Sequence, residues 1–409
     1  MAVIKAVLID LDDTLIRTNT AAFFSAYLKA LGAYMSSVEA PEIVGKNVRI
    51  AYDEAVDAYD PTRPLYLRFL ERVAARLQYP RAVEDLRRLF ESFHSWEYPT
   101  LRPLVRRRRE TPQFMRWLFD RGYQVVVATN PAVAESATLM RMAWGGVPAD
   151  EFPFAWITTP ETMHFGKPHP EYFEEILLNI GVNADEAIMV GDDWDQDIVG
   201  AVTCGMHAYW VTNRGGRPSG GMPVSGYGTY RELIARVTGG WLEQLAPTQA
   251  TGRALIHRLR AFPAHLSTLQ ATYGDNMLER TSSATGRSAR DIICMLRDEE
   301  GVDDCSVQHF GQRVDDAHSR APGNWQDELQ EYPQTPARQA LAEFVRRRTA
   351  TTDWLLQRPE STWLRSTAAT DSETQDLSQV VELWVDRDRA RLRQIWDSLA
   401  CVQRGAVKY

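Results

Sequence analysis

The sequence has few cysteines, no long apolar run and no surplus of positive charge, and each shortage closes off a class of protein. Its 409 residues include four cysteines, Cys204, Cys294, Cys305 and Cys401. They are scattered without a CxxC pair, so neither a disulfide framework nor a zinc knuckle is indicated. No apolar stretch approaches the ~20 residues that a membrane helix needs. Residues 1–9 are apolar but short and run straight into acidic residues, which fits a buried strand and not a signal peptide. The cytoplasm is therefore the expected compartment. Lysine and arginine number 46 against 54 aspartates and glutamates, a formal charge of −8. That balance argues against nucleic acid or an anionic membrane as a partner, because both need a basic surface.

What is present is the composition of a globular chain, 44% apolar, 24% charged and 10% aromatic. At a prior of ~150 residues per domain the length predicts two or three compact units. Residues 3–9 form a β-branched run ending in Asp10-Leu11-Asp12-Asp13-Thr14, the pattern of a central strand that delivers side chains at its C-terminal end. Similar runs occupy 124–128, before Thr129-Asn130, 187–190, before Gly191-Asp192-Asp193, and 208–212. Helical patterns such as 111–120 and 170–179 alternate with them, which predicts an α/β fold with a doubly wound parallel sheet. In such sheets ligands bind beyond the carboxyl ends of the strands, where these polar residues sit. Residues 18–105 break the alternation and read as an inserted helical cap, with helices over 21–31 and 65–77. Residues 214–228, rich in Gly, Pro and Ser, read as a loop leading to a last helix at 230–237. The first domain is placed at 1–242.

Two carboxylates two residues apart at the end of a buried strand reach one cavity if the chain turns there. Asp10 is then a candidate nucleophile toward phosphorus, and Asp12 a candidate proton donor and acceptor. A buried acidic cluster is costly without counter-charge, so a hard cation such as Mg²⁺, bound by carboxylate oxygens, follows from the residues. Asp192 and Asp193 are the matching distant carboxylates.

These motifs, DLDDT at 10–14, TN at 129–130, GKPHPEYF at 166–173 and GDDWDQD at 191–197, resemble in order and spacing those of the haloacid dehalogenase-like hydrolase superfamily. The resemblance implies Asp10 as nucleophile and Asp12 as acid/base, with the Asp12 carbonyl also on the metal. It implies Thr129 and Asn130 on the phosphate oxygens and Lys167 neutralising the phosphoryl group. Asp10 and Asp192 would ligate Mg²⁺, Asp193 would join them in the metal group, and Asp197 would support the metal shell or Lys167. An acid/base aspartate two residues after the nucleophile marks the phosphatases and phosphotransferases of that superfamily rather than its dehalogenases. The expected activity is thus Mg²⁺-dependent hydrolysis of a small phosphomonoester through an aspartyl phosphate. The rival expectations are a phosphotransferase or phosphonatase of the same fold, and a non-catalytic sensor that binds a phosphorylated metabolite. His164 and His169 read as loop histidines, and the arginine run 106–109 as a solvated helix face.

Residues 243–409 change character to long helical segments without strands, predicting an all-α four-helix bundle. Thr335-Pro336 reads as a helix start with threonine as N-cap, and Ser288 with Asp291 as a capping box. SARDIICMLRDEE at 288–300, the helix at 337–356 and DRDRARLRQI at 386–395 resemble the DinB-like (YfiT-like) bundle family. Members often bind a metal through three histidines, but the matching positions here are Met295, Arg387 and Arg391, none a usable ligand. Arg387 and Arg391 are expected to pair internally with Asp298, Glu299 or Asp388. The bundle is also where self-association or a protein partner is expected.

Overall fold

The computed structural model describes residues 4–77, 82–212, 221–248, 252–282, 286–300, 335–358, 363 and 377–406, without the side chains of 380 and 403–406. Cys305 and residues 214–220 of the expected loop lie outside the described residues. The chain forms two compact units, Met1–Gln249 and Ala250–Tyr409.

The first unit is built on a six-stranded sheet of β1 (Ala6–Ile9), β4 (Gln124–Val127), β5 (Trp156–Ile157), β6 (Ala187–Gly191), β7 (His207–Val211) and β8 (Gly226–Gly228), in the order β5-β4-β1-β6-β7-β8. Every pairing in it is parallel. The doubly wound sheet anticipated from the sequence is therefore present. Strand β1 is buried along its whole length, as expected where helices cover both faces and the strand reads as a continuous apolar run. It pairs with β4 on one side and β6 on the other, Ala6 facing both Gln124 and Ala187. The strand order reverses there, so the carboxyl ends of β1, β4 and β6 open on one crevice. Two short strands escape the sequence reading. Strand β5 has only two residues, and β8 lies inside the stretch read as a loop, its backbone held against Tyr209–Val211 of β7.

Strands β2 (Ile16–Thr18) and β3 (Val105–Arg107) pair antiparallel and bracket an all-helical insertion. It contains α1 (Thr20–Tyr34), α2 (Pro41–Asp57), α3 (Leu65–Arg76) and α4 (Val83–Trp96). Asn19 caps α1 by accepting the Ala22 N–H at 3.1 Å, and Pro41 opens α2 where its missing N–H costs nothing. The insertion has an aromatic centre in which Tyr27 meets Phe93 and Tyr98 edge-on at 5.5 and 6.0 Å. The helices of the core are α5 (Thr111–Asp120), α6 (Glu135–Gly145), α7 (Pro170–Ile180), α8 (Gly200–Thr203) and α9 (Tyr230–Thr238). Thr229 and Glu232 form a reciprocal capping box at the start of α9.

The second unit holds α10 (Gly252–Leu278), α11 (Ala289–Glu299), α12 (Ala337–Leu356) and α13 (Leu377–Ala406). Its core includes Ile256, Leu259, Leu355, Val381 and Val385. The Ser288–Asp291 capping box is formed. Helix α12 starts one residue later than expected, with Pro336 rather than Thr335 at the N-cap and no side-chain cap. The described cysteines Cys204, Cys294 and Cys401 are not joined in disulfides with one another. Among the described residues no helix is long and apolar enough to cross a membrane.

Within the bundle Arg348 is fully buried. It donates to Asp388 Oδ2 at 2.7 Å and to Glu300 Oε2 at 2.8 Å. Arg387 donates to the same two acids at 3.1 and 3.0 Å, and Arg391 pairs with Glu299. The expected internal pairing of Arg387 and Arg391 thus occurs, with Glu300 and Arg348 as unforeseen members. Asp298 instead faces outward and pairs with Arg297 at 2.7 Å.

Candidate active site

Asp10 follows β1 directly, its N–H held by the Val190 carbonyl of β6 at 2.9 Å. The chain then turns sharply. Asp12 keeps extended backbone angles, while Asp13 takes a left-handed φ of 57°, a conformation aspartate tolerates better than most residues. The turn separates the roles of three adjacent acids. Asp13 looks away and accepts the Thr18 N–H at 3.0 Å and the Thr20 hydroxyl at 3.2 Å, so it builds the turn.

Asp10 receives Lys167 Nζ at 2.7 Å, and the same ammonium reaches Asp197 Oδ1 at 2.5 Å. Carboxylate oxygens of Asp10, Asp192 and Asp197 lie within 4.8 Å of one another. Gly191 makes this approach feasible, because a Cβ there would stand 2.1 Å from Asp197 Oδ2. Burial, only partly offset by Lys167, leaves the Asp10 carboxyl well above its ordinary range. Burial, then Asp197 and Asp13, push Asp192 up to about 7. Asp197 is raised by burial against the pull of Lys167. Burial alone would lower Lys167, but Asp10 and Asp197 outweigh it and its pKa is raised. Three carboxylates against one ammonium leave an excess of two negative charges, all on hard oxygen donors. That donor set fits a divalent cation such as those oxygen ligands prefer.

Thr129 and Asn130 lie just beyond β4. The Thr129 carbonyl accepts Thr158 Oγ1 at 2.6 Å and the Tyr172 hydroxyl at 2.9 Å, which fixes the loop. Asn130 Oδ1 accepts Tyr52 of α2 at 3.0 Å and the Lys167 N–H at 3.3 Å, while its Nδ2 donates to Gln196 at 3.3 Å. The structure therefore brings Asp10, Asn130, Lys167, Asp192 and Asp197 into one connected constellation at the carboxyl ends of β1, β4 and β6.

Residues 4–205 match the family model described as haloacid dehalogenase-like hydrolase. The first unit is a haloacid dehalogenase-like hydrolase domain. Among curated proteins, the human phospholysine phosphohistidine inorganic pyrophosphate phosphatase is 50% identical over 54 residues, 13% of this chain and 20% of that protein. This chain therefore spans about a fifth of that relative's length. The glyceraldehyde 3-phosphate phosphatase of Methanopyrus kandleri is 28% identical over 204 residues, 50% of this chain and 82% of its own. A crystal structure of a HAD phosphatase from Thermococcus onnurineus aligns with a TM-score of 0.38 at 22% identity, covering 58% of this chain and 98% of that one.

Several residues of the hydrolase domain have partners that the motifs do not indicate. Asp193 accepts the Asp195 and Gln196 N–H groups at 3.0 Å, so its carboxylate caps the following helical turn rather than joining the three clustered oxygens. The Asp193-x-x-Gln196 spacing, a capping pattern, carried that signal. Asp12 pairs through Oδ2 with Arg141 of α6, a side chain only 6% exposed. Its other oxygen, Oδ1, is buried with no hydrogen-bond partner among the described residues. Arg141 belongs to no motif, and sequence reading passed it over. The run 106–109 is no helix face. Arg106 and Arg107 lie exposed on or beside β3, whereas Arg108 is buried over the Tyr230 ring at 5.0 Å and donates to the Asp13 carbonyl at 2.5 Å. His164 is more than a loop histidine, being buried with Nδ1 2.7 Å from Glu175. His169 is the N-cap of α7.

Proposed function

We propose that the hydrolase domain is a Mg²⁺-dependent phosphatase acting on a small phosphomonoester through an aspartyl phosphate on Asp10. The observation that carries the reading is the meeting of Asp10, Asp192 and Asp197 around the Lys167 ammonium. Asp10, Asp192 and the Asp12 carbonyl are assigned to hold Mg²⁺, with Asp197 tying Lys167 to that group. When bound, the cation supplies positive charge to the phosphoryl oxygens. An Asp10 oxygen attacks phosphorus as the bond to the leaving oxygen breaks, and Asp12 delivers a proton to that oxygen. Asp12 then takes a proton from water, whose oxygen attacks the phosphorus and frees Asp10 and inorganic phosphate. Thr129, Asn130 and Lys167 hold and neutralise the phosphoryl group. The phosphatase names of the curated relatives support the same reading. Steady-state assay of the full chain on an aryl phosphate tests it. Turnover that requires Mg²⁺ and stops on chelation is expected, and failure to turn over any phosphate ester overturns it.

Arg141 is assigned to position Asp12 so that the free Oδ1 meets the leaving oxygen. Removing it as Arg141→Ala is expected to lower kcat by about 10²-fold, the usual cost of misplacing a reacting group by an ångström, with KM little changed. Arg141→Lys should recover part of the loss. An equal rise in KM would instead make Arg141 a substrate ligand.

Metal binding should depend on pH with a definite sign. The Asp192 pKa is raised in the fold to about 7. Its contribution to stability in metal-free protein is thus full below the unfolded aspartate value of ~3.9 and lost as pH rises through 7. Mg²⁺ needs the ionised form and competes with that proton. The melting-temperature gain on adding Mg²⁺ should accordingly be larger at pH 8 than at pH 6. A gain independent of pH across that interval removes Asp192 from the metal group.

A further inference from the structure

Arg68, in the first turn of α3, is fully buried, and no carboxylate among the described residues pairs with it directly. Its donors are satisfied by main-chain oxygens instead. Nη1 donates to the carbonyls of Ala55 at 2.9 Å and Ala58 at 2.7 Å, and Nε to that of Arg63 at 3.2 Å. The first two bonds close the end of α2, where the last carbonyls lack partners within the helix and a cation is favoured. Nη2 leaves the insertion altogether and donates to the His164 carbonyl. Closing a helix end does not require that bond. Burial lowers Arg68 to about 10, with Asp60 and Glu175 acting against the fall, so it remains a cation at neutral pH.

The same peptide group is held from the other side by the core. The Phe165 N–H, which shares a peptide plane with the His164 carbonyl, donates to Glu175 Oε2 of α7 at 3.3 Å. The His164 N–H donates to both oxygens of Glu175, at 3.0 and 3.1 Å. A cation and an anion thus grip one peptide from opposite ends, and hydrogen bonds to charged groups are roughly twice as strong as neutral ones. The insertion adds further holds. The N–H groups of Leu65 and Tyr66 donate to the Met163 and Pro160 carbonyls at 2.8 and 2.7 Å, and Tyr59 stacks on Phe165 with ring centres 5.6 Å apart. Residues 163–166 belong to no helix or strand, so holds of this kind are what fix them. Just beyond them Lys167 places Nζ 2.7 Å from Asp10 and 2.5 Å from Asp197. A shift of the loop by about an ångström takes such a bridge outside hydrogen-bond range.

We infer that Arg68 and Glu175 are positioning residues for Lys167, acting through the His164–Phe165 peptide that they hold from the insertion and from the core. What Lys167 does once in place rests on the phosphatase reading. Where it stands does not.

Arg68→Lys keeps the charge but, lacking the fork, cannot serve α2 and His164 at once. With the full chain, Mg²⁺ and an aryl phosphate it should lower kcat at least about 10-fold with KM little changed, the pattern of a misplaced reacting group. Glu175→Gln, which keeps the size but gives up one accepting oxygen, should do the same. In a Lys167→Met background no ammonium is left to misplace, and neither change should lower the residual kcat by more than about 2-fold. A loss as large there as in the parent, or a rise in KM in place of the fall in kcat, overturns the inference. So does a parent-like kcat in either folded variant. Melting temperatures identify a variant that does not fold, and the other then carries the test. If the parent hydrolyses no phosphate ester, the phosphatase reading falls. In that case, or if Lys167→Met has no measurable rate, labelling of Lys167 by acetic anhydride decides its placement. This buried ammonium should be acetylated at least about 10-fold faster in the folded variants than in the parent, read by peptide mass, because a loosened loop opens more often. Equal labelling overturns the placement.

Discussion

Asp10→Asn is expected to lower aryl phosphate turnover by at least about 10⁴-fold while leaving the protein folded, and in metal-free buffer at least as stable as the parent. The loss follows from chemistry, since an amide has no anionic oxygen to attack phosphorus and the remaining groups can only bind and polarise the ester. The stability half of the expectation follows from electrostatics. Burial holds the Asp10 carboxyl well above its ordinary pKa even with Lys167 at 2.7 Å, so the ionised form is a cost carried by the fold at neutral pH. Asparagine removes that charge with little change of shape, and Lys167 keeps Asp197 as its partner at 2.5 Å. Activity against stability is the usual exchange at a strained polar site. Residual turnover within 10-fold of the parent would show that another group is the nucleophile. A marked drop in melting temperature would show that the Asp10–Lys167 pair holds the fold together.

The site was legible in the sequence to the extent that it is carried by strand ends. A buried parallel strand reads as a short β-branched run, and the residue at its carboxyl end is forced toward the crevice, so Asp10 and Asp192 could be placed there from the sequence alone. Elements without such a run were missed. Strand β5 is two residues long, and β8 is Gly-Tyr-Gly, held by its backbone rather than by apolar side chains. Side chains that reach the site from a helix were also illegible. Arg141 stands 129 residues from Asp12, and a lone arginine on an amphipathic helix has no local pattern to distinguish it from a solvated one. The distinction between Asp192 and Asp193 turned on a capping geometry that the spacing suggested but that only the turn after β6 reveals.

The second unit shows the same limit from the opposite direction. Helix periodicity placed Arg387 and Arg391 toward the interior and required partners for them, but it could not say which acid on α11 would answer. The structure places Glu300, just past the end of that helix, at the centre. Burial would raise Glu300, yet Arg348 and Arg387 pull it down to about 2. Its contribution to stability is therefore full above the ordinary glutamate value of ~4.3 and lost only as pH falls toward 2.

Arg348→Leu is the change expected to damage this unit most. Arg348 is 0% exposed, lies over the Phe344 ring at 4.8 Å, and is hydrogen-bonded to both Glu300 and Asp388. Among the described residues leucine would leave Arg387 as the remaining ion-pair partner of two buried carboxylates, and removing one partner of a buried ionic network costs about 3–5 kcal/mol. Hydrogen-exchange protection of α10 to α13, read on the full chain, should fall accordingly while that of the β1–β6 region does not. The comparison that isolates the cause is a fourfold replacement, Arg348→Met, Arg387→Met, Glu300→Leu and Asp388→Leu, which takes away both signs of charge together. It should cost less than Arg348→Leu alone, because apolar groups of similar volume leave no orphaned charge to desolvate. If the single change is tolerated within about 1 kcal/mol, the carboxylates are reached by water and the network is not the keystone of the bundle. If the fourfold variant is the worse of the two, the ion pairs add net stability beyond avoiding their own desolvation.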